Sequence, residues 1–303
     1  MNQKLRPLSA QAPADERIWS IDDNFDAVQA EVLRLQPDLL SLQECASASA
    51  AARLVEKYTF VGARAGHSDE AGFVHLYLKK PLRQLPLELP GLPGVGCSVK
   101  LRHAVVAVVA LHLAAGEDAA ATREKHLCRA VELAGAWDET VVVLGDLNLK
   151  DAELSELTRR PLRGFGAVRQ VPMQEATYSG SSWFPQANRY SDEDGYATRQ
   201  PQRFDRVLFR GDAFGYAYLA GRRQHFAGGK GFFLSDHFAV MALLDVDPEH
   251  GRRDQSETLA WHRRAALARL RDQASFLERR GNDEASRLGR EEAGLMRQRA
   301  DLN

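Results

Sequence analysis

Five short segments of this 303-residue sequence place a metal- or phosphate-binding side chain at or beside the end of an apolar run. In order, the segments are LSLQE, ALHL, VVLGDLN, RFDRVLF and LSDHFAV. The candidate residues that they carry are Glu44, His112, Asp146, Asn148, Asp205, Asp236 and His237. Carboxylates bind hard cations, and an imidazole exchanges a proton near neutral pH. Because ligands of α/β proteins usually bind at strand ends, we expect these side chains to share one site.

The segment VVVLGDLN shows this arrangement most plainly. Residues 141–144 are apolar and indicate a buried strand, while Asp146 and Asn148 follow two residues apart. A spacing of two along an extended chain puts both side chains on the same side. Such a pair can bind a hard cation, position a water molecule or hydrogen bond to a phosphate, and the residues alone leave these alternatives open.

Each motif also has a purely structural interpretation. Glu44 fits a solvated loop residue, GDLN is rich in turn formers, and the Ser-Asp of LSDHFAV would cap a helix. His112 fits a hydrogen-bonded core histidine, and Asp205 fits an ordinary ion pair. The order and context of all five motifs, rather than any single one, favour a chemical function.

The elements around these motifs indicate an α/β protein. Apolar residues at helical spacing predict one helix in IDDNFDAVQAEVLRLQ, ended by Pro37, and a second helix in TREKHLCRAVELAGAWD. The segment ECASASAAARLVEKY is interpreted as a helix start. Strands are predicted at DLLSLQE, GFVHLYLKK, AVVAVVALHL, VVVLGDLN, QRFDRVLFRG and FLSDHFAVMALLDV. Because GFVHLYLKKPLRQLPLEL reads as consecutive strands, two sheets packed face to face between helices fit better than a doubly wound sheet.

The composition is that of a soluble globular protein. Hydrophobic residues make up 44 % and charged residues 27 %, and the net charge of -1 leaves any polyanion site to a local patch. Three separated cysteines, Cys45, Cys97 and Cys128, favour reduced thiols in a cytoplasmic protein. The sequence shows no membrane span, no apolar signal core, no Cys-His zinc cluster and no GxxxxGK[ST] loop. We therefore expect a cytoplasmic protein without a membrane partner.

The composition changes after about residue 247. We therefore divide the chain into a catalytic domain at 1–247 and a helical C-terminal extension at 248–303. Apolar residues of the extension form a ragged helical stripe at Leu259, Leu267, Leu270, Phe276 and Leu277. This stripe is too narrow for a core helix and suits a surface groove, so the extension is a candidate for partner binding or self-association. Its deletion is expected to leave catalysis nearly intact.

Together, the five motifs resemble the endonuclease/exonuclease/phosphatase superfamily, which has the DNase I-like fold. The resemblance covers roughly residues 18–247. The stretches HLAAGEDAAATREKHLCRAVEL and TYSG…RFDRVLFRG are most similar to its type-2 tyrosyl-DNA phosphodiesterase (TDP2) branch. The resemblance implies an α/β fold in which two face-to-face β-sheets form a four-layer sandwich. It also implies hydrolysis of a phosphate ester that depends on Mg²⁺, with Mn²⁺ as a substitute.

The resemblance assigns a metal, water and phosphate role to four positions. Glu44 matches the glutamate that binds the catalytic Mg²⁺, and Asp236 matches a carboxylate of the metal environment. Asp146 matches the aspartate that orients or activates the attacking water, and Asn148 matches the amide that holds a phosphate oxygen. These roles are chemically consistent, because a cation held by a carboxylate neutralises the charge that develops on a phosphate.

Three further positions match residues of the acid–base machinery. His237 matches the histidine of the SDH motif, and Asp205 matches the aspartate that orients that histidine. His112 matches a histidine that contacts the phosphate or assists the leaving group in nuclease members. A histidine held by a carboxylate is fixed in its tautomer and favoured as a cation beside a phosphate.

The start of the sequence departs from the family pattern. Members normally open with a strand bearing TWN or SWN, whose Asn helps hold the metal, whereas IWSID offers Trp19 and Ser20. Three interpretations stay open: translation starts upstream of Met1, Ser20 replaces the Asn, or the strand and catalysis have been lost. We place Asn2, in MNQKLRPL, in the metal site as the residue nearest to where such a strand would end.

The substrate follows from charge and aromatic residues near the later motifs. Arg203 and Arg206 are the candidate substrate-binding residues, within a basic group that extends through Arg199, Arg210, Arg222, Arg223 and Lys230. Such a basic patch suits binding of a polyanion such as DNA or RNA. The alternative is that these charged side chains simply lie in solvent on surface loops. The aromatic residues of the following loop, Tyr178, Trp183, Phe184, Tyr190 and Tyr196, could stack on bases or pack the loop onto the body.

We therefore expect a phosphodiesterase that acts on nucleic acid, as a nuclease or in processing 5′ ends. The alternatives are a catalytically impaired binding or scaffold protein and a phosphodiesterase of a small-molecule or lipid phosphoester.

Overall fold

The computed structural model describes most of the region that carries the motifs. The described residues are 21–51, 53–68, 71–102, 104–135, 140–159, 173–178, 180–184, 199–211, 213–222, 225–227, 230–232, 235, 237–246, 268, 271–283, 286–288 and 290–291. Two predicted metal-site residues, Asn2 and Asp236, lie outside them, as does the predicted domain boundary at residue 247.

Six strands form the larger sheet, in the order β4-β5-β6-β7-β9-β8. Their bounds are β4 Arg83–Leu87, β5 Gly94–Lys100, β6 Val105–His112, β7 Thr140–Asp146, β8 Gln174–Glu175 and β9 Asp205–Arg210. β6 and β7 are parallel, joined through the helix α2 (Ala120–Gly135), and the other neighbours in this sheet are antiparallel. The helix α3 (Asp151–Arg159) follows β7.

The remaining strands form three smaller groups. β1 (Leu39–Cys45), β3 (Phe73–Lys79) and β2 (Tyr58–Ala65) form a three-stranded sheet in that order. β10 (Ala213–Ala220) pairs antiparallel with β13 (Ala239–Val246), and β11 (His225–Ala227) pairs with β12 (Lys230–Phe232). Helix α1 (Ile21–Leu35) precedes β1 and ends just before Pro37, as the sequence predicts.

Alternating side chains of β3, β6 and β7 build a core between the two main layers. Val74, Leu76 and Leu78 of β3 pack with residues of β6 and β7, among them Val108 and Val142. The other face of β6 and β7 packs against α2 and α3, and the other face of β3 packs against α1. Since β3, β6 and β7 each bury both faces, the predicted four-layer α/β sandwich is confirmed.

One predicted element is wrong. The segment ECASASAAARLVEKY does not start a helix, because residues 53–57 form a turn and β2 begins at Tyr58. Ala51 donates its backbone N–H to the hydroxyl of Tyr77, 2.9 Å away, so a long-range contact replaces the local helical bond. Alanine propensity is a weak local preference that such tertiary contacts override.

The C-terminal helix, which includes residues 271–283, packs on the body of the protein. Ala274 is fully buried against Tyr218 and Ala220 of β10, and Leu277 packs against the same cluster. The described part of the extension therefore packs on an apolar face of β10 and β13, while its predicted role in partner binding or self-association stays a prediction. No helix among the described residues is both long and apolar enough to cross a membrane.

We expect Leu277→Ala to lower the Tm by about 2–8 °C, because a truncated apolar contact removes about 1–2 kcal/mol and each kcal/mol shifts Tm by about 2–4 °C at this size. Its neighbour Phe276, which is 54 % exposed, provides the matched control Phe276→Ala with an unchanged Tm. Thermal unfolding of both variants checks this, and equal shifts would contradict the packing described for Leu277.

Candidate active site

Three neighbouring strands bring three candidate residues to one level of the larger sheet. In the register of the parallel pair β6 and β7, His112 lies opposite Asp146, and in the antiparallel pair β7 and β9, Asp146 lies opposite Asp205. All three side chains are buried. Sequence spacing predicts each residue at a strand end, and the structure adds that the ends are adjacent.

Asp205 and His237 form a direct pair. Nδ1 of His237 lies 2.7 Å from Oδ2 of Asp205, and both side chains are nearly inaccessible. Burial alone would raise the pKa of the Asp205 carboxyl, but the charge of His237 and its hydrogen bond outweigh burial, so this pKa lies below its ordinary value. Since the carboxylate only accepts, Nδ1–H must donate to it, which fixes the orientation of the ring.

Three residues outside the five strand-end motifs, Tyr178, Ser182 and Trp183, brace this pair. Ser182 accepts a hydrogen bond from the backbone N–H of Asp205 at 3.1 Å, and its own carbonyl accepts one from Phe238. The hydroxyl of Tyr178 donates to the carbonyl of Asp205 at 2.8 Å. Trp183 forms a β-bridge with His237, and Tyr178 and Trp183 are both buried. These residues therefore pack onto the body, which is one of the two interpretations that the sequence leaves open for them.

Asp146 and His112 form a looser pair beside the first. Nε2 of His112 lies 3.7 Å from Oδ2 of Asp146, and both side chains are 3 % exposed. Burial lowers the pKa of His112, and the charge of Asp146 offsets only part of that effect. Asp146 also accepts a hydrogen bond from the backbone N–H of Asn148 at 3.0 Å. Asp146 thus contacts both His112 and Asn148, which are two of the predicted site residues.

The GDLN turn needs its glycine and its asparagine for different reasons. A Cβ on Gly145, whose φ is +132°, would overlap the carbonyl oxygen of Leu111 on the neighbouring strand. Asn148 has φ +49°, a left-handed conformation that asparagine tolerates better than most residues. The side-chain amide of Asn148 donates to the carbonyl of Leu113 at 2.9 Å, so this side chain is fixed at the end of β7.

Glu44 occupies a left-handed position near the end of β1, with φ +56°. The pairing of β1 with β3 is irregular between Leu42 and Cys45, and this irregularity includes Glu44. β1 packs against β7. The side chain of Gln43, next to Glu44, lies close to Gly145 of β7, since a Cβ added to this glycine would be 3.1 Å from Nε2 of Gln43. Glu44 is therefore carried by the facing sheet, at the end of β1 that lies against the GDLN turn.

The described residues contain one group whose acidic and imidazole ligand atoms lie within 4.8 Å of one another. It consists of Asp146, Asp205 and His237. Because Asp205 is already hydrogen bonded to His237, we interpret this group as a carboxylate–imidazole pair with a second carboxylate beside it. Mg²⁺ prefers oxygen ligands and needs only one or two protein carboxylates, so Asp146 and the nearby Glu44 fit its requirements better than His237 does.

The two arginines predicted to bind substrate have internal partners. Arg206 is 1 % exposed and donates to Glu175 at 2.8 Å, to Asp151 at 2.6 Å and to the carbonyl of Leu149. Arg203 donates to Glu175 at 3.0 Å and lies over the ring of Tyr178. Their guanidinium groups therefore tie β8, β9 and the start of α3 together. The substrate contact predicted for both arginines stays a prediction.

One histidine that contacts the candidate site belongs to none of the five sequence motifs. His67, in the loop between β2 and β3, meets His112 edge to face, with ring centroids 4.8 Å apart. Its segment, RAGHSDEAG, contains neither an apolar run nor a ligand spacing that would single it out. Only the folding of β2 and β3 against β6 reveals the contact.

The predicted thiols are present as free cysteines. Cys45 and Cys97 are buried, and Cys128 is partly exposed. Burial raises the pKa of both Cys45 and Cys97 to about 12, so these two thiols are protonated at neutral pH and unreactive.

Comparisons with known proteins agree with this geometry. The model of the Endonuclease/Exonuclease/phosphatase family matches residues 18–237. No curated protein matches the sequence. Among solved structures, humanized TDP2 of D. rerio superposes with a TM-score of 0.54 at 18 % identity, over 74 % of this chain and 92 % of that one.

Two further structures are similar. TDP2 of D. rerio in complex with a single-strand DNA product gives a TM-score of 0.54 at 19 % identity, over 74 % of this chain and 92 % of that one. The beta toxin 275–280 from Staphylococcus aureus gives 0.53 at 14 % identity, over 73 % and 91 %. At these identities the structures confirm the DNase I-like fold and the similarity to TDP2 predicted from the motifs.

Proposed function

Because the chain belongs to the endonuclease/exonuclease/phosphatase family, we propose that it is a Mg²⁺-dependent phosphodiesterase that acts on nucleic acid, as a nuclease or in processing 5′ ends. Family membership itself makes the chain a phosphoester hydrolase. The finer proposal is supported chiefly by one observation, the buried pair of Asp205 and His237 with Asp146 beside it.

The pair supports a role for His237 at the phosphate. With Nδ1 engaged by Asp205 at 2.7 Å, Nε2 is the ring nitrogen that can act on a substrate. A protonated imidazole donates to a phosphate oxygen and stabilises the negative charge that grows there in the transition state. Asp205 orients the ring and favours its cationic form through its own negative charge.

Asp146 and Asn148 support attack by water. The carboxylate of Asp146 accepts hydrogen bonds and lies within the same group as Asp205 and His237, so it can orient a water molecule toward a phosphate held at His237. Asn148, fixed at the end of β7, supplies an amide next to that position. His112, which is buried behind Asp146, would position this carboxylate at 3.7 Å.

We assign the metal to Glu44, with Asp236 and Asn2 as further proposed ligands. The oxygen donors of Glu44 and Asp146 at adjoining strand ends suit Mg²⁺, and Mn²⁺ would substitute for it. When bound, the ion would neutralise charge on the phosphate and polarise it toward attack. Glu44 is well placed for this role, because the left-handed turn at its position fixes the direction of its backbone.

The nucleic-acid substrate is supported by fold similarity and by the phosphodiester chemistry of the site. The single-strand DNA product in the D. rerio TDP2 complex shows that this fold accommodates such a strand. We accordingly propose single-stranded DNA as the first substrate to test. On the evidence of the reduced thiols, we also propose that the protein works in the cytoplasm.

A substrate panel tests the proposed function. The panel contains a small chromogenic phosphodiester, a single-stranded DNA oligonucleotide with a 5′-tyrosyl phosphodiester, the same DNA without tyrosine, and an RNA of the same sequence. We expect Mg²⁺-dependent hydrolysis of the small diester and of at least one oligonucleotide, and the pattern of products separates end processing from internal cleavage. A folded protein that hydrolyses none of them would contradict the proposal and favour a binding or scaffold role.

A further inference from the structure

The loop between β2 and β3, residues 66–72, places His67 at the site on the side of His112. The His67 and His112 rings are nearly perpendicular, at 89°, with their centroids 4.8 Å apart. His67 is exposed, whereas His112 is 2 % exposed. Since one ring contacts the other and only His67 reaches solvent, His67 lies between the buried site and the surface.

This loop is braced at both ends. The N–H of Gly66 donates to the carbonyl of Gly72 at 2.8 Å and closes the loop. A Cβ on Gly66 would lie 3.2 Å from Nδ1 of His112, and a Cβ on Gly72 would lie 2.8 Å from the carbonyl oxygen of Cys45. The loop therefore rests on His112 at one end and on the turn beside Glu44 at the other.

The contact with His112 involves a nitrogen that lacks a hydrogen bond. Among the described residues, Nδ1 of the buried His112 has no hydrogen-bond partner, and Gly66 packs against it. Nε2 of the same ring faces Asp146. His112 therefore lies between the Asp146 carboxylate and the described start of the loop, and the exposed imidazole of His67 continues from its ring toward solvent.

The electrostatic environment of His67 agrees with this position. His67 is exposed at its surface side, but partial burial of its ring against the site lowers the pKa of His67, and the charge of Asp146 partly opposes that effect, so the imidazole lies within electrostatic reach of the site carboxylate. A neutral imidazole has one N–H donor and one acceptor nitrogen. It can therefore donate a hydrogen bond to a phosphate oxygen without adding charge to the site.

We propose that His67 is a further substrate-contacting residue, which donates a hydrogen bond to a phosphate group of the nucleic-acid strand at the mouth of the site. This inference rests on the proposed function, since it takes a nucleic-acid strand as the occupant. It adds a contact outside the five sequence motifs, on the side of the site opposite to the pair of Asp205 and His237. The contact selects substrates that extend beyond the cleaved phosphodiester.

Two substitutions separate a substrate contact from simple packing. His67→Ala removes the ring, whereas His67→Phe keeps a ring to pack on His112 and removes the N–H donor. We expect both variants to raise KM for a single-stranded DNA oligonucleotide about tenfold, with kcat changed less, since a hydrogen bond to a charged group contributes at least this much. His126→Ala, on α2 at the outer face of the larger sheet, is the control and should leave KM unchanged.

A binding measurement under conditions without hydrolysis tests the His67 contact independently of the proposed activity. In excess chelator, fluorescence anisotropy gives the Kd of the same oligonucleotide for the unaltered protein and for the three variants. We expect the two His67 variants to bind about tenfold more weakly, even if the unaltered protein hydrolyses no substrate. If His67→Phe has the same KM and Kd as the unaltered protein, His67 only packs against His112. If the unaltered protein does not bind the oligonucleotide at all, the inference is also overturned.

Discussion

The double variant Asp205→Asn/His237→Ala is expected to hydrolyse a phosphodiester scarcely more slowly than the worse of its two single variants. His237→Ala alone should lower the rate by about 10²-fold or more, because it removes the group that acts on the phosphate. Asp205→Asn should damage the same step, since an amide cannot hold the ring as a cation at 2.7 Å. Residues that act as one unit are not additive in their effects on rate.

Rates of the four proteins at saturating Mg²⁺ measure this coupling directly. Asp205 is buried and braced by Ser182, so thermal unfolding must show that each variant keeps its fold. Asp38→Asn and His126→Ala change the same residue types outside the site and should retain full rates; Asp38 is 79 % exposed beside Lys79. If the two losses simply multiply, Asp205 and His237 do not work as a pair.

The sequence predicts the strands of the site well, because each one has a strong local signal. β1, β3, β6, β7, β9 and β13 coincide with apolar runs, and their polar ends hold Glu44, His112, Asp146 and Asp205. The alignment of His112, Asp146 and Asp205 at one level depends on the register of β6, β7 and β9. Register is a long-range property that no single motif encodes, so the sequence leaves the geometry of the group open.

Contacts that arise only from the tertiary structure are hard to predict from the sequence. His67 reaches the site only because β2 and β3 deliver their loop to His112. Arg206 reads as a basic residue beside a phosphate site, but it lies on a strand that is buried throughout and pairs inward with Glu175. A charge pattern gives the sign of a group but not the direction in which its side chain points.

Over the described residues, two strand edges of the second layer have no partner strand. Among the described strands, β1 pairs only with β3 and β13 pairs only with β10. A groove between β1 and β13 is lined by residues of both strands, including Leu40 and Met241. Open edges present unpaired backbone groups, which proteins usually cover. The three interpretations of the N-terminal segment stay predictions, since residues 1–20 lie outside the described residues.

Chelation is expected to abolish hydrolysis, and Glu44→Gln is expected to raise the Mg²⁺ concentration needed for half-maximal rate. Mg²⁺ binds an anionic carboxylate far better than a neutral amide, so about a tenfold shift or more is reasonable for losing one of few protein ligands. Glutamine keeps the size of the side chain, and the left-handed turn at Glu44 is held by Gly72 packed against its backbone. The substitution therefore changes the ligand charge while the surrounding backbone keeps its shape.

Titrating Mg²⁺ against the rate for the unaltered protein, Glu44→Gln and a control isolates the metal effect. Glu56→Gln is the control, because Glu56 is exposed on the turn before β2 and should leave the titration unchanged. Saturating Mg²⁺ should restore much of the rate of Glu44→Gln if the residue acts through metal affinity. Full activity of the unaltered protein in excess chelator would contradict the metal dependence, whereas an unchanged titration of Glu44→Gln would transfer the metal-binding role to Asp146.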